Sequence, residues 1–142
     1  MKHLFAPLFL LAGLLLAACE TEAQKMAGAS GGARVEVIDF YSTHRCKSCL
    51  AIENAARNVV ETEFATEKKA GKILFKTVNV DDAQNAKIAE QFEASGTALF
   101  VYNTKTGEVL DLTDTGFSYA MNDEARFKEF LRTAIRQTLA KL

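Results

Sequence analysis

The residues whose types and spacing lend themselves most directly to chemistry are Cys46-Lys47-Ser48-Cys49. Two cysteines three positions apart in the first turn of a helix share one face, close enough to bridge. The first sulfur would sit at the helix amino terminus, where unpaired backbone N–H groups and the helix dipole favour a thiolate over a thiol. Arg45 and Lys47 flank it with positive charge and push the same way. Such a spacing serves a redox pair, a structural disulfide or half of a zinc site, and the surrounding elements decide among them.

Those elements are legible in the pattern. Val35 to Tyr41 is β-branched and aromatic, a strand, and Ser42-Thr43-His44-Arg45 is a short loop. Cys49, Ile52, Glu53, Ala56, Val59, Val60, Glu63 and Phe64 recur at helical spacing. They predict an amphipathic helix from Cys46 to about Lys68, which Gly71 stops. Ile73 to Val80 is a second strand, and Asp81 and Asp82 can cap a helix running to about Glu93. Ala98 to Tyr102 is a third strand, and a hairpin through Asn103 to Gly107 leads to a fourth from Glu108 to Leu112. After a loop, the last helix carries Phe127, Phe130, Leu131, Ala134, Ile135, Thr138 and Leu139 on one stripe. The order β-α-β-α-β-β-α predicts an α/β fold, a four-stranded mixed sheet flanked by helices.

Lys2 and His3 precede an almost purely apolar run from Leu4 to Ala18. It is shorter than the about 20 residues of a spanning helix and suits the core of a secretory signal. The run ends in Leu16-Ala17-Ala18-Cys19, which resembles the bacterial lipoprotein signal motif. That resemblance implies cleavage before Cys19, acyl chains on Cys19, and a lipid-anchored membrane protein of the bacterial cell envelope facing the periplasm. Ordinary secretion and an uncleaved anchor are the alternatives. The expected organisation is a signal peptide over 1–18, a flexible tether with lipidated Cys19 over 19–33, and a domain over 34–142. A random coil of the tether's length spans roughly 20 Å. In an oxidising compartment disulfides persist, and with Cys19 lipidated the remaining two of the 3 cysteines can pair.

Composition narrows the function. At 142 residues with 49% hydrophobic content, the chain accommodates one core-forming domain and a tail. Its 17 Lys+Arg stand against 18 Asp+Glu, so no basic block is free to neutralise a run of phosphates. That argues against a dedicated role on nucleic acid. The sequence has no flavin or nicotinamide fingerprint, and no cofactor is expected.

A C-x-x-C after the first strand of a β-α-β unit occupies the position of a thioredoxin-like redox pair. The element order resembles that fold in a minimal form, without the extra amino-terminal strand and helix of thioredoxin, and the likeness covers about Arg34 to Leu142. More narrowly, Thr43-His44-Arg45-Cys46-Lys47-Ser48-Cys49-Leu50-Ala51-Ile52-Glu53 resembles the signature of the ArsF-type thioredoxin-like lipoproteins. These typically show a Thr-x-Arg-Cys-x-x-Cys run followed by Ile and Glu. Asp111-Leu112-Thr113-Asp114 with Phe117 resembles them too. The family is named for subunits handling nitrophenyl compounds or arsenicals, but nitro reduction would need the redox cofactor for which no fingerprint is present.

The resemblance implies a membrane-anchored thiol–disulfide oxidoreductase, with Cys46 the attacking thiolate and Cys49 the resolving thiol. Its partner would be another envelope protein, presenting a disulfide or a dithiol. Asp39 aligns with the buried carboxylate of thioredoxins that takes the proton as Cys49 becomes nucleophilic; the other reading is a strand-edge residue facing water. Glu53, one turn beyond Cys49, is a second proton-transfer candidate, or an exposed helix glutamate without a role. Thioredoxins carry a cis-proline before the third strand, whereas the only proline here is Pro7. Ser95-Gly96-Thr97-Ala98-Leu99 takes that place, with Thr97 or Ala98 as the substrate-contacting stand-in. A trans bond is expected there, since a non-proline cis peptide costs about 2.5–4 kcal/mol. Phe117, Tyr119 and Met121, in the loop after the fourth strand, are candidates for a docking surface, at least one of them being core.

Two other classes stay open. The missing proline removes an obstacle to metals, so Cys46, Cys49 and His44 could form a thiolate binding module for zinc, copper(I) or trivalent arsenic. His44 is otherwise a general base or a solvated loop histidine. The third class is a non-catalytic envelope interaction subunit whose disulfide is only structural.

Overall fold

The structure is a computed structural model that describes residue 32 and residues 34–142. The expected signal peptide, the expected tether apart from Gly32, and Cys19 lie outside the described residues. Among the described residues no helix is long and apolar enough to cross a membrane.

Strand β1 (Val35–Tyr41) is the centre of the sheet. It pairs in parallel with β2 (Ile73–Asn79) and antiparallel with β3 (Ala98–Asn103), which in turn pairs with the short edge strand β4 (Val109–Asp111). The order β2-β1-β3-β4 is the four-stranded mixed sheet expected from the sequence, and with the crossover helix after β1 it is a thioredoxin-like fold in its minimal form. Alternation along β1 divides its side chains between two cores. Val35 and Val37 face helix α1 (Lys47–Asn58) and the closing helix α5 (Glu124–Leu139), where Ile52, Ala56, Phe127, Leu131 and Ile135 are buried. Ile38 and Phe40 face the opposite side, where Ala89 of helix α3 (Ala86–Gln91) and the rings of Phe92 and Phe100 complete a smaller cluster.

The long helix expected from Cys46 to about Lys68 is interrupted. After α1 the chain widens into a π-helical turn over Val59–Glu63, breaks at Phe64, and resumes as α2 (Ala65–Lys69). The Thr62 hydroxyl donates to the Asn58 carbonyl at 2.7 Å and competes with the regular backbone ladder there. The extra residue in the turn lets Val59, Val60 and Phe64 all bury, while Glu63 swings out to pair with Arg132 of α5. The acid expected to cap the following helix is shared differently. Asp82 accepts from the Gln84 backbone N–H and caps a 3-10 turn (Ala83–Asn85), whereas Asp81 accepts from Thr43 at 2.7 Å and holds the loop before Cys46.

A second difference lies after β4. The expected loop is a helix, α4 (Thr113–Tyr119). Asp111 accepts the Thr113 N–H at 2.8 Å to start it, and the Thr113 hydroxyl accepts the Leu99 N–H, tying the helix to β3. Gly116 is buried against α1: a Cβ there would lie 3.0 Å from Ile52 Cδ1 and Cγ1. Ile52 is itself fully buried and has no room to yield. Gly116→Val should therefore lower the unfolding free energy by about 2 kcal/mol, more than any gain in helix propensity returns. Urea denaturation of the two proteins checks this; an unchanged midpoint would mean that the α1–α4 contact is loose.

Candidate functional site

The sharp turn from β1 into α1 places the two cysteines. Cys46 is the N-cap of α1 and Cys49 its third residue, and their sulfurs are joined in a disulfide with the Cα atoms 5.1 Å apart. Each sulfur also accepts a backbone N–H: Cys49 N–H donates to Cys46 Sγ at 3.1 Å, and Cys46 N–H to Cys49 Sγ at 3.3 Å. No acidic residue occupies the first turn of α1, so nothing there opposes negative charge on sulfur. The pair is asymmetric. Cys46 is exposed, while Cys49 is 6% exposed and lies on the inward stripe of α1 with Ile52 and Ala56.

Asp39 is 0% exposed. Following Val35 and Val37 in the alternation of β1, it faces the layer under α1, which rules out the strand-edge reading. Among the described residues its one side-chain partner is Arg45, whose Nη2 donates to Asp39 Oδ2 at 3.1 Å, and Asp39 Oδ1 is buried without one. Burial pushes the Asp39 carboxyl up to about 7, against the pull of the Arg45 guanidinium and with help from the charge of Glu53.

Arg45 departs from the expectation that it would lend its charge to Cys46. Its guanidinium turns inward, spans Asp39 and Glu53 with separate nitrogens, and stacks over the Tyr41 ring 4.3 Å from the centroid. Glu53, expected as an exposed helix glutamate, has a side chain only 14% exposed and also accepts from Arg57 Nη2 at 2.7 Å. Burial alone would raise the Glu53 carboxyl, but hydrogen bonds from Arg57 and Arg45 bring it below its ordinary range.

The other candidates fall into separate places. His44 is exposed in the loop, and among the described residues no group of three or more His, Cys, Asp or Glu is arranged to hold a metal ion. Thr97 is partly exposed just before β3, while Ala98 packs into the α3-side cluster opposite Phe40. All peptide bonds among the described residues are trans. Phe117 and Tyr119 belong to α4 rather than to a loop. Tyr119 stacks on Phe130 with its centroid 5.7 Å away and borders the main core. Phe117 is exposed, and Met121, 52% exposed, touches the cysteine turn: the Ser48 hydroxyl donates to Met121 Sδ at 3.1 Å. Leu50 adds a further exposed apolar side chain beside Cys49 in sequence. A groove of about 640 Å³ between β4 and α5 is lined by other residues, among them Val109, Leu112, Phe130 and Ala134.

No protein-family model matches the chain, and no curated protein matches its sequence. Among solved structures, the human ERp44 zinc-bound form is similar at 23% identity, with a TM-score of 0.45. The alignment covers 72% of this chain and 26% of that one.

The raised Asp39 carboxyl has a consequence for stability with a definite sign. Between its ordinary value of 3.8 and about 7 the folded protein keeps a proton that the unfolded chain has lost. The associated stability is therefore full below about 3.8 and is lost as the pH rises through about 7. At about 1.4 kcal/mol per unit, the loss by pH 8 is about 4 kcal/mol. Asp39→Asn carries no such proton, so it should be more stable than the parent by about that amount at pH 8 and by little near pH 4. Denaturant unfolding of the oxidised proteins at the two pH values checks this, and an equal difference at both would contradict the buried-acid assignment.

Proposed function

We propose that this chain is a thiol–disulfide oxidoreductase of the bacterial cell envelope, in which Cys46 exchanges disulfides with a partner protein and Cys49 resolves the intermediate. The observation that carries the reading is the asymmetric disulfide across the first turn of α1, exposed at Cys46 and buried at Cys49. A structural bridge needs no such asymmetry, and no buried, unpartnered carboxyl behind it.

In the oxidised protein a partner thiolate attacks Cys46 Sγ. A partner–Cys46 disulfide forms, the Cys46–Cys49 bond breaks, and its electron pair leaves on Cys49. Cys49 takes a proton from Asp39, which faces the same buried layer and is protonated for much of its range near neutrality. A second partner thiolate then attacks the partner sulfur of the mixed disulfide, leaving the partner oxidised and Cys46 as a thiolate. In the reverse direction Asp39 as carboxylate takes the Cys49 proton, and Cys49 displaces the reduced partner thiol. The backbone N–H of Cys49 and the amino end of α1 stabilise the Cys46 thiolate. Exposed Leu50, Phe117 and Met121 offer apolar contact to the partner, with partly exposed Thr97, just before β3, as the stand-in for the proline of thioredoxins; Ala98 is taken up by the α3-side cluster.

Cys46→Ser should reduce exchange with oxidised glutathione to the uncatalysed rate. Cys49→Ser, which can attack but not resolve, should accumulate a glutathione adduct on Cys46 detectable by mass. A Cys46→Ser protein with the parent rate would sink the mechanism.

The same proposal includes a lipid anchor at Cys19 and delivery by residues 1–18, supported by the Leu16-Ala17-Ala18-Cys19 motif. A bacterial host fed an alkynyl palmitate should label the parent protein and leave Cys19→Ser unlabelled. Absence of label on the parent removes the anchor from the reading.

A further inference from the structure

Around Asp39 the charges are arranged in series rather than as one ion pair. Arg45 Nη2 donates to Asp39, Arg45 Nη1 donates to Glu53, and Glu53 is held from its other oxygen by Arg57. Among the described residues, neither Arg45 Nε nor Asp39 Oδ1, both buried, has a hydrogen-bond partner. A guanidinium presents its donors as a planar fork and binds a carboxylate best through two parallel bonds. Here that fork is split between two acids, so Asp39 receives a single bond and keeps one oxygen free. We infer that Glu53 is a positioning residue for proton transfer: by drawing the Arg45 guanidinium away, it prevents a two-bond clamp on Asp39 and leaves Asp39 Oδ1 to exchange a proton with Cys49.

The inference rests on the exchange reaction proposed above, and it adds Glu53 to that reaction as a residue acting only through Arg45. The groups facing Asp39 are few. Arg45 comes from the loop, Glu53 and Arg57 come from α1, and Tyr41, two residues along β1, lies beneath the Arg45 guanidinium. The neighbours across the sheet, Thr77 on β2 and Leu99 on β3, carry no charge. With the Glu53 charge removed, Arg45 is free to close on Asp39 with two bonds, and Arg57 loses the carboxylate that holds it. Both changes favour the ionised form of Asp39. Glu53→Gln keeps the size and the hydrogen-bonding oxygen of the side chain, so the variant removes charge with little change in packing.

The test reads Asp39 in two ways. In the oxidised full chain, the Asp39 carboxyl carbon is titrated by NMR, which needs no enzymatic activity. In parallel, the rate at which dithiothreitol reduces the disulfide is followed against pH. In the proposed exchange protonated Asp39 supplies the proton that Cys49 takes up, so the rate per dithiothreitol thiolate should fall as Asp39 ionises. Glu53→Gln should lower the Asp39 midpoint by about one pH unit, roughly a tenfold change in proton affinity. It should move the falling limb of the rate profile by the same amount. In an Asp39→Asn background Glu53→Gln should leave the profile where it is. An unchanged Asp39 midpoint in Glu53→Gln overturns the inference and leaves the oxidoreductase reading untouched. A shift in the rate profile that persists in the Asp39→Asn background also overturns it, because Glu53 would then act on the cysteines by another route. If the parent protein reduces no partner disulfide at any pH, the oxidoreductase reading fails, and the carboxyl titration still decides whether Glu53 controls Asp39.

Discussion

The placement of Arg45 is the constraint on which the rest of the site depends. A single guanidinium reaches the central strand through Asp39 and the crossover helix through Glu53, and covers Tyr41 between them. It therefore sets the spacing between β1 and the first turns of α1, the turns that carry the cysteines. A charge with a side chain only 17% exposed is costly to bury unless carboxylates meet it. Here Glu53 meets it as a carboxylate and Asp39 accepts from it, while Glu53 also takes a bond from the more exposed Arg57. The opposite face of β1 uses the same device on a smaller scale, where buried Glu36 accepts from Arg34 at 2.9 Å and Lys76 at 2.6 Å. The difference is completeness. Both oxygens of Glu36 have a partner, whereas Asp39 keeps one without. A carboxyl in that condition holds its proton and is available to give it up.

Much of the frame that delivers Arg45 was legible in the sequence. The β-branched run Val35 to Tyr41 became the central strand, the element order became the sheet, and the C-x-x-C fell at the start of the crossover helix. The misses have local causes. Helix α4 is two turns long and contains Gly116, too short for an apolar period to emerge and chosen for a close approach that only the packed structure reveals. The π-helical turn after Asn58 depends on one threonine hydroxyl taking a backbone carbonyl, which no hydrophobic spacing records. The shorter helix on the other face begins later than expected because Asp82 caps a 3-10 turn over Ala83–Asn85 first, while Asp81 is used by the loop across from it.

The site itself was half legible. Cys46 and Cys49 follow from spacing, and the burial of Asp39 follows from its parity with Val35 and Val37 once β1 is known to be central. Glu53 carried a usable signal that composition obscured. It stands on the same helical stripe as Cys49, Ile52 and Ala56, so its inward lean was written in the periodicity, yet a charged residue on a helix is ordinarily solvent-facing. What no pattern could supply is the rotation of Arg45. A cation next to a cysteine in sequence suggests attraction to the sulfur, but two carboxylates in a drier environment compete more strongly for it.

That rotation separates two tasks which the sequence suggests are shared. With Arg45 committed inward, negative charge on Cys46 is met by the Cys49 N–H and the first turn of α1, a set of dipoles that does not titrate. In the proposed exchange, proton movement at Cys49 falls to Asp39, whose carboxyl does titrate and is held by Arg45. The two are joined mechanically rather than electrically. The loop before Cys46 is held to the end of β2 by the Asp81–Thr43 bond, and the first turns of α1 are braced by α4 where Gly116 meets Ile52. A helix start fixed in this way keeps its N–H donors aimed at sulfur whether or not Asp39 carries its proton. Under the proposed exchange reaction, the reactivity of Cys46 would stay constant while the readiness of Cys49 to leave or attack followed the pH through Asp39.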